Sequence, residues 1–123
     1  MNLFGFYLIV IPTTIFNLPA PADLIDSARL FVKLALADAF GGYTETLSMG
    51  GYVAADGQLI EEQVYQIMAL YSADNDELVK GLATRIKADL KQESVMVQKN
   101  QEVWFLYPEG GGERPPATTR EEL

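Results

Sequence analysis

Apolar side chains run almost unbroken through Leu3-Phe4-Gly5-Phe6-Tyr7-Leu8-Ile9-Val10-Ile11, the pattern of a central strand covered on both faces. No Lys or Arg precedes the run, and Pro12 interrupts it. It therefore reads as a buried strand, Leu3 to Pro12, and neither as a secretory leader nor as a membrane span. From Ala22 to about Phe40 the period becomes helical. Leu24, Ala28, Phe31 and Ala35 share a face that Ile25, Val32 and Leu36 widen. Asp23 and Asp26 sit where a helix dipole favours acid, and Gly41-Gly42 ends the helix. Tyr43–Val53 and Gln58–Tyr71 read as strands, the first bent at Gly50-Gly51. Asp56-Gly57 between them supplies the positive φ that a primed hairpin turn needs.

Asp74-Asn75-Asp76-Glu77 opens a second helix in capping-box fashion, with acid at the cap and Glu three residues on. Leu78, Leu82, Ile86 and Leu90 form its stripe, and Gly81 within it implies close packing on the sheet. Ser94–Gln98 is a further strand, Lys99-Asn100-Gln101 a turn, and Val103–Tyr107 a short last strand. The order β-α-β-β-α-β plus a terminal strand predicts an α+β, ferredoxin-like sandwich: an antiparallel sheet with two helices on one face. Residues 1–107 form that single domain, and the Gly-, Pro- and Thr-rich residues 108–123 form a tail or an arm. In a chain rich in Tyr and Phe, the sheet face without helices is expected to meet another subunit.

Composition narrows the chemistry. At 123 residues there is room for one core, and the chain has neither Cys nor His. Disulfides, thiolate nucleophiles, zinc-finger sites and imidazole bases are excluded together. Catalysis would rest on carboxylates, Tyr, Lys, hydroxyls, backbone dipoles or the substrate itself. A net charge of −8 argues against nucleic acid as partner. The absence of Cys suits a reducing cytoplasm.

Three clusters carry the remaining polar chemistry. Tyr52 and Glu62 face each other across the hairpin beside Gly50-Gly51; Gln92-Glu93 end the second helix; Lys99-Asn100-Gln101-Glu102 occupy the last turn. Each has an ordinary structural reading. Glu61-Glu62 would be a solvated carboxylate and an edge-strand guard. Tyr52 would be a cross-strand aromatic, Gly50-Gly51 a bulge, and Gln92-Glu93 a polar helix end. Glu61, Glu62, Glu93 and Asp56 have the oxygen ligands for Mg²⁺ but no dedicated spacing, so no metal site is assigned.

Taken together, Gly50-Gly51-Tyr52, Glu61-Glu62-Gln63-Val64-Tyr65-Gln66-Ile67 and the block from Gln92-Glu93-Ser94 to Gln101 are similar in order and spacing to the phage S-adenosylmethionine lyases. Those enzymes were formerly called S-adenosylmethionine hydrolases. The resemblance implies a homotrimer with sites between subunits and no cofactor. Cleavage would be intramolecular, giving 5′-methylthioadenosine and homoserine lactone. It implies Glu62 and Tyr52 as catalytic residues, and Gly50, Gly51, Glu61, Gln92 and Glu93 as substrate-binding ones. Which of Glu61 and Glu62 enters the site depends on strand register and stays open. The implied setting is phage counter-defence in the host cytoplasm, away from membranes. Two other readings use the same residues. One is a ferredoxin-like oligomer that binds a nucleotide-like ligand without turnover, and the other a structural or interaction protein with Glu62 in solvent.

Overall fold

The apolar run at the start of the chain forms the middle strand of the sheet. The structure, a computed structural model, describes residues 5–15, 18–92 and 94–100 and the backbone of 102–106. Strand β1 (Gly5–Pro12) is followed by a small ribbon, β2 (Thr14–Ile15) and β3 (Leu18–Pro19). Then come α1 (Ala22–Phe40), β4 (Thr44–Val53), β5 (Leu59–Tyr71), α2 (Asp76–Asp89), β6 (Val95–Lys99) and β7 (Glu102–Leu106). The main sheet has the order β4-β5-β1-β6-β7, every neighbouring pair antiparallel. This is the ferredoxin-like arrangement, with β7 added beside β6. The β2–β3 ribbon was not expected from the sequence. The expected strand residues Leu3, Phe4 and Tyr107 and the tail 108–123 lie outside the described residues.

Both helices cover one face of the sheet. Strand alternation sends Tyr7, Ile9 and Ile11 of β1, Ile67, Ala69 and Tyr71 of β5, and Val95 and Val97 of β6 to that side. They meet Ile25, Ala28, Val32 and Leu36 of α1 and Val79, Leu82, Ala83 and Ile86 of α2. Each large side chain buried here stabilises the fold by roughly 1.5–3 kcal/mol. The buried stripe of α1 is centred away from Phe31, which is 37% exposed beneath the Arg85 guanidinium, 4.9 Å from its ring centroid. Tyr7 and Tyr71 turn toward the helices, with ring centroids 4.9 Å apart, and pack beside Phe40. Among the described residues, the face without helices carries the aromatics Phe6 and Tyr52. Phe6, Leu8, Val10, Met68 and Met96 lie half-buried on it.

Two local expectations are corrected. The cap of α2 is Asn75, whose side chain accepts from the Leu78 N–H at 3.1 Å. Asp74 is drawn instead to Lys99, at 2.7 Å. Nothing lies within 4 Å of where a Cβ on Gly81 would stand, so close packing does not explain that glycine.

Lys99 also reaches Asp76 at 2.9 Å, and the Tyr7 hydroxyl donates to the same carboxylate at 2.5 Å while accepting from the Asn75 N–H. The Tyr7 hydrogen bond, and Lys99 after it, hold Asp76 below its ordinary range. Burial, reinforced by Asp76, pushes the Tyr7 phenol well above its own. This cluster fastens the start of α2 to the sheet. Beside it, Asn100 accepts from the Phe6 N–H at 2.8 Å and donates to the Tyr71 hydroxyl at 2.9 Å. A Cβ on Gly5 would stand 2.1 Å from the Asn100 Oδ1, which is why that position is glycine.

A second ionic cluster joins α1 to β4. The Arg29 guanidinium donates to both Glu45 oxygens, at 2.8 and 2.9 Å, and Lys33 adds a contact at 3.2 Å. Arg29 also stacks on Tyr65, 3.9 Å from its centroid. The Arg29 hydrogen bonds outweigh burial and bring the Glu45 carboxyl down to about 2. A carboxylate lowered on folding stabilises the protein above its unfolded value near 4.5, and the benefit fades as pH falls toward 2. At 17% exposure, Glu45 is worth on the order of 3 kcal/mol. The melting temperature is expected to fall steeply between pH 4.5 and 2. In Glu45→Gln it should start lower and stay flatter, and parallel wild-type and variant curves would contradict this.

Candidate active site

The hairpin loop determines what β4 and β5 present to solvent. The Gly57 N–H donates to the Ala54 carbonyl at 2.9 Å, and the Ala54 N–H donates to the Gln58 carbonyl at 2.8 Å. Gly57 has φ +86 and alone in the loop has positive φ, while the Asp56 side chain accepts from the Gln58 N–H at 3.0 Å. This is a three-residue loop closed by a glycine, not the two-residue primed turn that Asp-Gly suggests. The longer loop moves the register. Tyr52 stands opposite Ile60, Gly51 opposite Glu61 and Gly50 opposite Glu62. Tyr52 and Glu62 are thus diagonal neighbours on one face, not a facing pair. Pairing is continuous from Thr44 opposite Met68 to Val53 opposite Leu59, so Gly50-Gly51 is not a bulge.

Register also separates the two acids. Glu62 shares the helix-free face with Val64 and Gln66, and Glu61 is on the other face, exposed. At the Pro12 end of β1 that helix-free face is concave, with a cavity of about 820 Å³. A drug-sized ligand needs roughly 300–1,000 Å³. Val10, Val64 and Met96 supply apolar lining, Gly50, Gly51 and Tyr52 one wall, and Gln66, Lys91, Gln92 and Ser94 polar groups. Glu62 is a carboxylate of this groove and is only partly exposed.

Thr14 joins the pieces. Its hydroxyl donates to Glu62 Oε2 at 2.5 Å, and its carbonyl accepts from Gln92 Nε2 at 2.7 Å. Gln92 also donates to the Leu90 carbonyl at 2.9 Å, just past the end of α2. Of the residues singled out in the sequence, Gly50, Gly51, Tyr52, Glu62 and Gln92 therefore meet around one groove within a single chain. Glu61 is not among its lining, and Glu93 lies outside the described residues. Lys99 and Asn100 belong to the structural cluster at the other end of β6, and Gln101 is outside the described residues. Thr14, Gln66 and Met96 were not anticipated. The Thr14–Glu62 contact spans 48 positions and leaves no local pattern to read. Among the described residues, no cluster of His, Cys, Asp and Glu could hold a metal ion, and no helix is long and apolar enough to cross a membrane.

No family model matches the chain, and no curated protein matches it in sequence. Solved structures do. A phage SAM lyase in complex with S-methyl-5′-thioadenosine superposes with a TM-score of 0.66 at 22% identity, covering 89% of this chain and 96% of that one. A phage SAM lyase in the apo state superposes with a TM-score of 0.66 at 21% identity, covering 87% and 91%. Nearly the whole of each molecule is shared, and with it the order and packing of the elements. The chain has the fold of the phage SAM lyases.

Proposed function

We propose that the protein is a lyase that cleaves S-adenosylmethionine within the groove between β4, β5 and the end of α2. The observation that carries this reading is a half-buried carboxylate, Glu62, held in a ligand-sized and largely apolar groove. It occurs on the fold of a SAM lyase that binds S-methyl-5′-thioadenosine. The chemistry suits a chain without His or Cys. The sulfonium is already a leaving group, and the substrate carries its own nucleophile. Its carboxylate oxygen attacks the γ-carbon as the carbon–sulfur bond breaks, and the bond pair leaves on sulfur. The products are neutral methylthioadenosine and homoserine lactone, which keeps the ammonium charge. No proton moves and no water is consumed.

What remains for the protein is geometry and environment. Holding carboxylate and γ-carbon in contact replaces a random encounter with a positioned one, worth up to about 7–11 kcal/mol in well-oriented systems. Opposite charges are neutralised as sulfonium and carboxylate react, so apolar lining from Val10, Val64 and Met96 favours the transition state over the charged substrate. Glu62 takes the substrate ammonium, which otherwise pairs with the substrate's own carboxylate and blunts the nucleophile. Tyr52 positions the reacting chain by its ring or hydroxyl. Gly50 and Gly51 let the base approach the strand backbone, and Gln92, with Glu93 beside it in sequence, completes the polar rim.

The test is incubation with S-adenosylmethionine, with products separated by chromatography and identified by mass. Methylthioadenosine with homoserine lactone is the expected outcome. Methylthioadenosine with homoserine from the earliest times would indicate hydrolysis. Intact substrate together with thermal stabilisation of the protein would leave a binding protein without turnover.

The same reading includes a homotrimer with intersubunit sites, acting in the host cytoplasm to drain the methyl donor of restriction–modification systems. Exposed apolar side chains support self-association: Leu47, Met49, Val53 and Leu59 on the hairpin and Leu30 and Leu34 on α1. Sedimentation is expected to give a species of three 13.6 kDa chains, and a monomer at micromolar concentration would remove the trimer from the proposal.

A further inference from the structure

We infer that Thr14 is a positioning residue that aims the Glu62 carboxylate, an inference resting on the proposed lyase reading of the groove. Its origin is the proline that ends β1. Pro12 has no N–H to give, and the β1–β5 ladder stops at its pairing with Val64. Beyond it, threonine hydroxyls continue the connection to β5. Thr13 donates to the Gln63 carbonyl at 2.6 Å, and Thr14 donates to Glu62 Oε2 at 2.5 Å. Gln92 then holds Thr14 from the far side through its carbonyl.

A glutamate carboxylate turns easily about its last torsion, whose wells are broad. The Thr14 hydroxyl removes that freedom at one oxygen. Among the described residues, Thr14 is the side chain that hydrogen-bonds to Glu62, and it does so at Oε2. Thr14 itself needs no contact with substrate. It acts by fixing where the charge lies.

The experiment compares wild type with Thr14→Val, Thr14→Ser, Glu62→Gln and the Thr14→Val/Glu62→Gln double variant. It reads turnover of S-adenosylmethionine, calorimetric affinity for methylthioadenosine, and melting temperature. Thr14→Val is expected to lower kcat by about 10- to 30-fold, the worth of one charge-assisted hydrogen bond. Thr14→Ser keeps the hydroxyl and should stay within about threefold of wild type. In the Glu62→Gln background, Thr14→Val should cost little more, because its effect runs through the carboxylate. Methylthioadenosine lacks the amino-acid portion that Glu62 holds, so its affinity should not change.

An active wild type with normal turnover in Thr14→Val overturns the positioning role and leaves the lyase intact. So does a loss that simply adds to that of Glu62→Gln, or one accompanied by weaker methylthioadenosine binding, which marks a deformed groove. A wild type that leaves S-adenosylmethionine intact overturns the lyase reading itself, and the role of Thr14 in it falls at the same time.

Discussion

Glu62→Gln is expected to reduce S-adenosylmethionine cleavage by about 100- to 1,000-fold while the protein stays folded. The substitution keeps the size and shape of the side chain, and the Thr14 hydroxyl that donates to Oε2 at 2.5 Å can donate equally to an amide oxygen. The loss is therefore of charge. An ammonium brought into a groove lined by Val10, Val64 and Met96 sheds water, and without a partner it costs about 2–5 kcal/mol. At 1.36 kcal/mol per decade most of that range reaches the expected fold-change. Glu61→Gln is the matched control. It removes the same charge one residue away, on the other face of β5, and should alter the rate less than threefold. Steady-state kinetics on the two variants decides the matter. Equal losses would mean that long-range charge, and not contact, is at work, and the proposed role of Glu62 would fail.

The second large effect is steric. Gly50→Leu should abolish ligand binding, with affinity for methylthioadenosine down more than about 100-fold, yet leave stability unchanged or slightly higher. A Cβ at Gly50 would lie 3.5 Å from Val64 Cγ1 and 3.9 Å from the Glu62 carbonyl oxygen, which is ordinary contact. Its backbone is not in the left-handed region, and β4 pairs regularly through it. Among the described residues nothing requires glycine here, and a β-strand gains from almost any side chain in its place. What the missing side chain does is keep the wall of the groove open opposite Glu62. Gly50→Ala should fall between the two. Calorimetric titration alongside thermal melts checks the claim, and undiminished binding in the leucine variant would place the ligand elsewhere.

The fold was legible because its elements are strongly periodic. The run through Ile9, the Ile25–Leu36 face and the Leu78–Leu90 stripe each repeat with the period of the element they form. Which residues meet around the candidate groove was partly legible in the sequence, but their geometry was not. Asp56-Gly57 located the hairpin correctly, but one dipeptide does not distinguish a two-residue turn from a three-residue loop, and that difference set which residues stand opposite each other. The choice between Glu61 and Glu62 had to wait for it. Asp74 looked like a helix cap and was taken by Lys99, a partner 25 positions away that no local rule foresees. Thr14 and Gln92 are 78 positions apart, and no local pattern foretells their contact.

The alternation along β1 and β5 has a consequence for how such a protein can change over generations. Tyr7, Ile9 and Ile11 point one way and serve the core; Val10 and Pro12, between and beyond them, point the other and serve the groove. On β5, Tyr65 and Ile67 face the core and alternate in the same manner with Val64 and Gln66, which line the groove with Glu62. Two selective pressures are thereby written on alternate letters of the same text. Substitutions at the groove letters can explore new ligands while the chain remains foldable, and drift at the core letters leaves the chemistry alone. A lineage can thus diverge in sequence until little identity remains and still keep both its shape and its groove.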